Sequence, residues 1–299
     1  MSYGVVISAQ ELLNNLKEWR WTNPNDVALE SGSTSISDGT DYVMICKDAV
    51  LNDSVYQKYK SAVQYREILE HTSYELGLSY LEYVRTSKEV SQSLRKIGRL
   101  ENGSPFVYNF KGFGKLSPTH IRYAKVYLDL ISLFGNLDGF RIAEIGVGFG
   151  GQALHILSNN LKTHYSLYDL EWPGKLALKN LGNVDSEFLD RTVIGKWNEP
   201  QEFDLIISNY AFSELSRDIQ DIYITNLLGN SKRGYMIYNH IQEENSDSLA
   251  ALDILDLIPG AELIQEIPLT HSENVLIVWG HNKETMSKDL FPNYVVGFD

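Results

Sequence analysis

The segment from Arg141 to Gln152 combines residue types that suit the binding of a nucleoside-containing ligand. It reads RIAEIGVGFGGQ, so an apolar run ends in a glycine-rich turn that leads directly into a helix-forming stretch. Glycine lets the backbone of such a turn approach a ligand at the carboxyl edge of a sheet. The residues expected to bind a cofactor here are Glu144, Gly146, Gly148, Gly150 and Gly151.

The spacing of these residues fits two kinds of cofactor. Gly146, Gly148 and Gly151 match the G-x-G-x-x-G of dinucleotide-binding folds, whereas Glu144 with the first three glycines matches the E-x-G-x-G-x-G typical of S-adenosylmethionine (SAM) sites. The acid favours SAM, because a carboxylate there helps to order the turn and suits a cationic sulfonium ligand with an amino group. A structural turn that binds nothing is the remaining alternative.

Further cofactor contacts are expected from residues that follow other apolar runs. Asp169, with Leu170 beside it, ends the next run, where a carboxylate would accept hydrogen bonds from both hydroxyls of an adenosine ribose. Asn209 would orient either the methionine part of SAM or the acceptor. Arg122 and Tyr123 lie one turn into an earlier helix and would contact donor or acceptor, although a paired surface arginine is the alternative for Arg122.

If the ligand is SAM and the methyl acceptor is a weakly nucleophilic oxygen, a general base within about 2.6–3.2 Å of that oxygen would assist methyl transfer. His240 is the first candidate, because it directly follows the fifth predicted strand and an imidazole has an unperturbed pKa of about 6.5. His271, in the loop after the sixth strand, is the second; for both, a surface histidine without a catalytic role is the alternative. Glu214 and Tyr210 follow the fourth strand, but Glu214 would equally suit the first turn of a helix capped by Ser213.

Other polar residues are interpreted as structural. His155 is expected on a helix surface and His164 at the start of a strand. No dense Asp, His or Cys cluster indicates a metal; a divalent ion could recruit Asp169, Glu171 or Asn239, and the sequence leaves metal dependence open. A basic cluster would either hold an acceptor diphosphate or form a solvated helix face, which is favoured. It comprises Lys88, Arg95, Lys96 and Arg99.

The elements that must position these residues change character near residue 135. Residues 1–134 show helical spacing of apolar residues and are predicted to form a mainly helical lid or acceptor-binding region. Within it, Ser117 and Pro118 begin a helix that ends near Phe134, before Gly135.

In residues 135–299, short apolar runs alternate with helix-length segments, as in parallel sheets with crossover helices. The predicted strands span 140–145, 164–169, 188–194, 203–208, 233–238, 261–267 and 273–279. The last two strands are joined too tightly for a crossover and must be antiparallel. The predicted fold is therefore α/β: a Rossmann-like class I methyltransferase domain with a seven-stranded sheet and an antiparallel last strand.

Composition narrows the class of protein. The 299 residues include 26 Lys and Arg against 39 Asp and Glu, a net charge of −13, which disfavours nucleic-acid binding. The single cysteine, Cys46, cannot form an intramolecular disulfide, so the reducing cytoplasm is the expected compartment. No signal-peptide pattern and no run of about 20 apolar residues is present, so we expect neither export nor a membrane span.

Several blocks, in order, resemble the sugar O-methyltransferase family of bacterial polysaccharide loci. They are YREILEH, LGLSYLEYV, SPTHIRYAKVYLDLISLFG, IAEIGVGFGGQ, YSLYDLE, DLIISNYAFSEL with RDIQDIY, GYMIYN and NVLIVWG, between residues 55 and 280. The resemblance implies a class I SAM-dependent enzyme that methylates a sugar hydroxyl in polysaccharide biosynthesis. One departure is His120, where the family pattern has Thr, so His120 is not expected to be the shared catalytic base.

The expected partner is a sugar, nucleotide-sugar or glycan acceptor; a homodimer is considered, but no residue pattern selects it. Two other functions stay open. One is an NAD(P)-dependent oxidoreductase or epimerase with the same type of fold, which the absence of a Tyr-x-x-x-Lys pair after the glycine turn disfavours. The other is a SAM-binding protein without catalytic activity.

Overall fold

The computed structural model describes residues 41–239, 247–272 and 274–281. Residues 1–40 of the predicted helical region and His240 lie outside the described residues. Within the described ranges, we found no helix that is both long and apolar enough to cross a membrane.

Residues 41–134, the described part of the chain before residue 135, are mainly helical and include one short hairpin. Its helices are α1 (Asp41–Leu51), α2 (Asp53–Tyr56), α3 (Val63–Leu69), α4 (Tyr74–Val84), α5 (Lys88–Ile97) and α6 (Pro118–Phe134). The hairpin, which was not predicted, pairs β1 (Tyr108–Phe110) with β2 (Gly114–Leu116). Helix α6 begins and ends as predicted: the Ser117 side chain accepts from the backbone N–H of His120, and Gly135 follows with φ 76°.

Seven strands of the described chain form one mixed sheet. They are β3 (Arg141–Ile145), β4 (His164–Tyr168), β5 (Thr192–Ile194), β6 (Leu205–Asn209), β7 (Gly234–Tyr238), β8 (Glu262–Gln265) and β9 (Val275–Trp279). Their spatial order is β5-β4-β3-β6-β7-β9-β8, and β9 runs antiparallel to both of its neighbours. This is the Rossmann-like class I methyltransferase arrangement, so the predicted fold is confirmed.

In the described part of the chain, four helices connect these strands: α7 (Gly151–Asn159), α8 (Glu171–Val184), α9 (Arg217–Asn226) and α10 (Ala251–Leu257). The predicted strand at 188–194 is only partly correct. Residues Ser186–Arg191 form a 3₁₀ turn, in which the Asp185 side chain accepts from the backbone N–H of Glu187, and the strand begins at Thr192. The hydrogen bond from the backbone to the Asp185 side chain stabilises this turn, whereas the apolar residues considered alone predicted a strand.

The helical region and the sheet share a hydrophobic core. Tyr42 and Tyr65, from α1 and α3, belong to the same buried cluster as Ile142 of β3. Lys179 of α8 donates to the backbone carbonyls of Ala49 and Val50, at 3.1 Å each. The helices therefore pack directly on the sheet layer, while the boundary at 134/135 stays a prediction.

The placement of His155 differs from the prediction. Its side chain is 0% exposed, and its ring centre lies 4.7 Å from that of His120. Helix α7 packs against both α5 and α6, so the face that carries His155 is covered. By contrast, His164 opens β4 as predicted.

Candidate functional site

A cavity of about 590 Å³ lies at the carboxyl ends of the parallel strands. Residues after β3, β4, β6 and β7 form one wall, and residues of α3, α4 and α6 form the other. Open α/β sheets bind ligands at this edge. The predicted site residues that line it are Arg122, Tyr123, Gly146, Gly148, Asp169, Leu170, Asn209, Tyr210, Glu214 and His271.

The glycine turn after β3 contributes its first two glycines to this wall. Gly146 has φ 77°, and a Cβ built on it would lie 2.0 Å from the Cβ of Ala211. A side chain is therefore excluded by both backbone conformation and space. Gly150 and Gly151 do not line the cavity: their backbones approach Ala177 and Tyr123, so they allow the turn and α7 to pack closely.

Asp169, directly after β4, holds the glycine turn. Its Oδ2 accepts the backbone N–H groups of Val147 at 2.7 Å and Gly148 at 3.0 Å, and its Oδ1 accepts that of Leu170 at 2.7 Å. Burial raises the pKa of Asp169 to about 6, although these three donors favour the ionised form. Oδ2 is saturated by the turn, so Oδ1 has capacity for one further hydrogen bond.

Glu144 lies behind the turn and does not line the cavity. Its carboxyl group is buried inside the protein, where the hydroxyl of Tyr165 donates to Oε2 at 2.8 Å. Burial raises the pKa of Glu144 to about 8. At neutral pH its carboxyl group is thus mainly protonated and offers no negative charge to a cation. The sequence led us to expect that Glu144 orders the glycine turn. In the structure, Asp169 holds the turn instead.

Arg122 on α6 is a buried cation on the cavity wall. It is 7% exposed, its Nε has no hydrogen-bond partner, and among the described residues no acid forms an ion pair with it. Its guanidinium lies 5.4 and 5.6 Å from the ring centres of Tyr123 and Tyr210. The alternative of a paired surface arginine is therefore wrong. A buried charge without a counter-ion is costly, so an anionic ligand would be strongly favoured here.

The end of β6 brings Asn209 and Tyr210 to the cavity. The amide of Asn209 faces the carboxyl group of Glu144, but neither of its polar atoms makes a hydrogen bond of ordinary geometry in the described chain. Tyr210 has φ 73°, a conformation that is unfavourable for a residue with a bulky side chain and that often marks a functional position. Its hydroxyl donates to Glu266 Oε1 at 3.0 Å. Both residues can therefore present polar groups at a fixed position.

Glu214 lies in a 3₁₀ turn, Ala211–Glu214, and not in the helix expected there. Helix α9 starts only at Arg217, after Ser216, and Ser213 donates to the backbone carbonyl of Tyr210 at 2.6 Å instead of capping a helix. Leu215 is extended, which separates the turn from the helix. Burial raises the pKa of Glu214, while a hydrogen bond from Asn239 opposes that rise.

Three histidines bear on the choice of a base. His271 lies on the cavity wall with an exposed side chain, as its position after β8 predicted, and His240 is outside the described residues. His71, in the loop between α3 and α4, also lines the cavity but was overlooked. Burial, followed by the nearby charge of Arg122, lowers the pKa of His71, so its imidazole is neutral at neutral pH. His71 ends the block YREILEH, whose resemblance to the sugar O-methyltransferase family could have indicated this residue.

A buried carboxylate next to the cavity was also missed. Glu266, directly after β8, is 1% exposed; besides Tyr210, it accepts the hydroxyl of Thr270 at 2.5 Å and the amide of Asn274 at 3.4 Å. Thr270 and Asn274 line the cavity. Sequence pattern gave no signal for Glu266, because nothing local distinguishes it from a solvated strand-end acid.

Two further possibilities raised by the sequence concern a metal ion and the basic cluster. Within the described ranges, no group of three or more His, Cys, Asp or Glu side chains is arranged to hold a metal ion. The basic cluster on α5 does not reach the cavity wall; its Arg95 donates to the backbone carbonyl of Gly112 at 3.0 Å and lies over the Phe113 ring.

No family model matches the chain, and no curated protein matches it. Solved structures similar to it include the pyocyanin biosynthetic protein PhzM, at 16% identity over 55% of this chain and 58% of that chain, with a TM-score of 0.40. Magnesium protoporphyrin IX methyltransferase (ChlM) from Synechocystis PCC 6803, with bound SAM, is 14% identical over 53% of this chain and 77% of its own, with a TM-score of 0.40.

A TehB-like SAM-dependent methyltransferase from Corynebacterium glutamicum ATCC 13032 is 18% identical over 55% of this chain and 98% of its own, with a TM-score of 0.36. Each match covers about half of this chain, and the chain spans less than two thirds of the length of PhzM. The fold is therefore assigned from the strand order and directions.

Proposed function

We propose that this chain is a SAM-dependent O-methyltransferase whose acceptor is a hydroxyl group of a sugar, either nucleotide-linked or part of a surface glycan. The observation that carries the cofactor assignment is the combination, in one cavity, of the Gly146–Gly148 turn, the carboxylate of Asp169 and the buried cation of Arg122. SAM carries a ribose diol and a carboxylate, which are the groups that these side chains can bind.

The residues present fit SAM in a specific way. The Nε of Arg122 is free to donate to the methionyl carboxylate, and a fork of guanidinium N–H groups suits a planar carboxylate. The free capacity of Asp169 Oδ1 allows one ribose hydroxyl, where the sequence led us to expect both. The remaining wall is apolar enough for an adenine ring and includes Leu170, Leu215, Ile219 and Tyr223.

When bound, SAM supplies a methyl group on a positively charged sulfur. The task of the protein is to hold an acceptor oxygen in line with that methyl group and to accept the proton of the hydroxyl. Asn209 and Tyr210 are proposed to orient donor and acceptor where β6 ends. His240 remains the first candidate for the base.

Described residues offer three further candidates for the base. His71 and His271 bring imidazoles to the cavity wall, and His71 is neutral at neutral pH and so able to accept a proton. Glu214 is a stronger base than an ordinary carboxylate, because burial raises its pKa. None of these proposals needs a metal ion.

The sugar acceptor is supported by the ordered sequence blocks that resemble sugar O-methyltransferases. Two of those blocks, YREILEH and SPTHIRY, supply His71, Arg122 and Tyr123 to the cavity wall. Residues that carry the resemblance are thus the ones expected to contact donor and acceptor.

Calorimetric titration with S-adenosylhomocysteine (SAH), SAM and NAD⁺ tests the cofactor assignment. We expect SAH and SAM to bind with one site per chain and NAD⁺ to show no binding; NAD⁺ binding without SAH binding would establish an oxidoreductase or epimerase instead. The acceptor class is tested with methyl-labelled SAM and a panel of UDP-, GDP- and dTDP-sugars and methyl glycosides. SAM binding without label transfer to any sugar would point to a non-catalytic SAM-binding protein.

A further inference from the structure

Besides Arg122 and Asn209, two side chains on the cavity wall carry buried polar atoms that make no hydrogen bond of ordinary geometry within the described chain. They are Tyr80, which is 1% exposed and whose hydroxyl faces that of Tyr210, and Asn274, which is 6% exposed and whose Oδ1 is the atom concerned. A buried polar group without a hydrogen bond destabilises the protein. A ligand that accepts from Tyr80 and donates to Asn274 would remove that destabilisation.

A third polar atom at this end of the cavity has a fixed hydrogen-bond direction. The Tyr210 hydroxyl donates to Glu266 Oε1 at 3.0 Å, because a carboxylate can only accept. The hydroxyl of Thr270, 3.3 Å from that of Tyr210, donates to Glu266 Oε2. The Tyr210 oxygen is therefore left to present its lone pairs, as a hydrogen-bond acceptor.

These groups are held together in one network. The Asn274 amide donates to Thr270 Oγ1 at 2.6 Å, and Thr270 and Tyr210 meet at Glu266. The hydroxyl of Tyr80 faces that of Tyr210, with Glu266 nearby, so a ligand hydroxyl placed between the two phenols can accept from Tyr80 and donate to Tyr210. The unfavourable positive φ of Tyr210 persists because this network fixes its phenol.

We infer that Tyr80, Tyr210 and Asn274 form the subsite for the acceptor, that its ligand is a pair of neighbouring hydroxyl groups on a sugar ring, and that Glu266 is the positioning residue. One donor and two acceptors match a vicinal diol, in which each hydroxyl can donate once and one of them accepts from Tyr80. The inference rests on the proposed function, since it assumes a hydroxyl acceptor beside the cofactor. The subsite binds and orients; it moves no proton.

The test uses SAH-loaded protein and a set of methyl glycosides, those of galactose, glucose, mannose, rhamnose and fucose, with binding followed by saturation-transfer NMR. At least one glycoside is expected to bind, and Tyr80→Phe to weaken its binding about tenfold while SAH affinity is unchanged. The matched control is Tyr74→Phe, on the same helix but outside the cavity wall, which should bind like the wild type.

Deoxy glycosides provide the sharper readout. The wild type should discriminate against the 2-, 3- or 4-deoxy form that lacks one of the two hydroxyls, and Tyr80→Phe or Tyr210→Phe should lose that discrimination. Glu266→Gln should raise the acceptor KM with little change in SAH affinity. Glu266→Asp, which keeps the carboxylate, should have an acceptor KM between those of the wild type and of Glu266→Gln.

The outcomes separate the two proposals. Failure of SAH to bind would remove the proposed function itself. If SAH binds, the subsite alone is overturned by glycosides that bind Tyr80→Phe and Tyr210→Phe as well as they bind the wild type, or by the binding of no glycoside at all.

Discussion

The guanidinium of Arg122 lies 5.6 Å from the centre of the Tyr210 ring. The two residues come from different parts of the chain, since Arg122 belongs to α6 and Tyr210 follows β6. The face of an aromatic ring attracts a cation but does not neutralise it. A positive charge therefore borders the cavity at the point where the parallel strands end, and an anionic group is the expected ligand.

Replacing Arg122 should weaken SAH binding because the contact with the carboxylate of SAH is lost, while the contacts with its nucleoside part remain. A charged hydrogen bond contributes about 1.5–3 kcal/mol, so Arg122→Met is expected to lower SAH affinity roughly 10- to 100-fold in calorimetry. The affinity for 5′-methylthioadenosine, which lacks the amino-acid part, should not change. Arg217→Met is the matched control, because Arg217 forms a surface ion pair with Asp221. An equal loss for both ligands would contradict the assigned contact.

Asp169 should make SAH binding pH-dependent. Its pKa is raised to about 6 by burial, so the carboxylate is ionised above that pH and protonated below it. Because only the ionised form can accept from both the glycine turn and a ribose hydroxyl, affinity should fall by up to about tenfold per pH unit below pH 6. Calorimetry between pH 5 and 8 measures this. Asp169→Asn should flatten the profile, and an unchanged profile in that variant would exclude Asp169 as its source.

Glu144 should make folding stability fall as pH rises. Its pKa is raised from 4.5 to about 8, so between these values the folded state holds a proton that the unfolded state has lost. Its contribution to stability is complete at low pH and decreases by up to about 1.4 kcal/mol per pH unit until pH 8. Urea unfolding at pH 6 and 8.5 should show a smaller decrease for Glu144→Gln than for the wild type. Equal decreases would mean that Glu144 is ionised in the folded protein.

The proton acceptor can be identified by comparing histidine variants. His240→Ala should leave SAH affinity near that of the wild type and reduce the turnover of the labelled-methyl assay roughly 100-fold or more if its imidazole is the base. His164→Ala, at the exposed start of β4, is the control. Unchanged turnover in His240→Ala would transfer the role to His71, His271 or Glu214.

The fold was predictable because its signals are local and repeated. Apolar runs, the glycine turn and the short connection before the last strand were sufficient for the sheet and for the antiparallel β9. The strand at 188–194 was overestimated, since a side-chain cap at Asp185 decides the local turn. The helix expected at Glu214 begins only at Arg217, because the Ser213 side chain bonds to the backbone carbonyl of Tyr210 and does not cap a helix.

The site was predictable only where strand ends define it. Asp169, Asn209 and Tyr210 reach the cavity because each follows a parallel strand. The roles of Glu144 and Asp169 could not be separated, because which carboxylate turns towards the backbone depends on the packing of β3 against Tyr165. His71 and Glu266 reach the cavity through tertiary contacts between distant segments, which no local pattern reports.

A crystal structure of the protein grown with SAH tests the cofactor site most directly. We expect the ligand to lie along the Gly146–Gly148 turn, with a ribose hydroxyl at Asp169 Oδ1 and its carboxylate on the guanidinium of Arg122. SAH absent from this cavity at saturating concentration, with NAD⁺ bound there in a parallel crystal, would contradict the account.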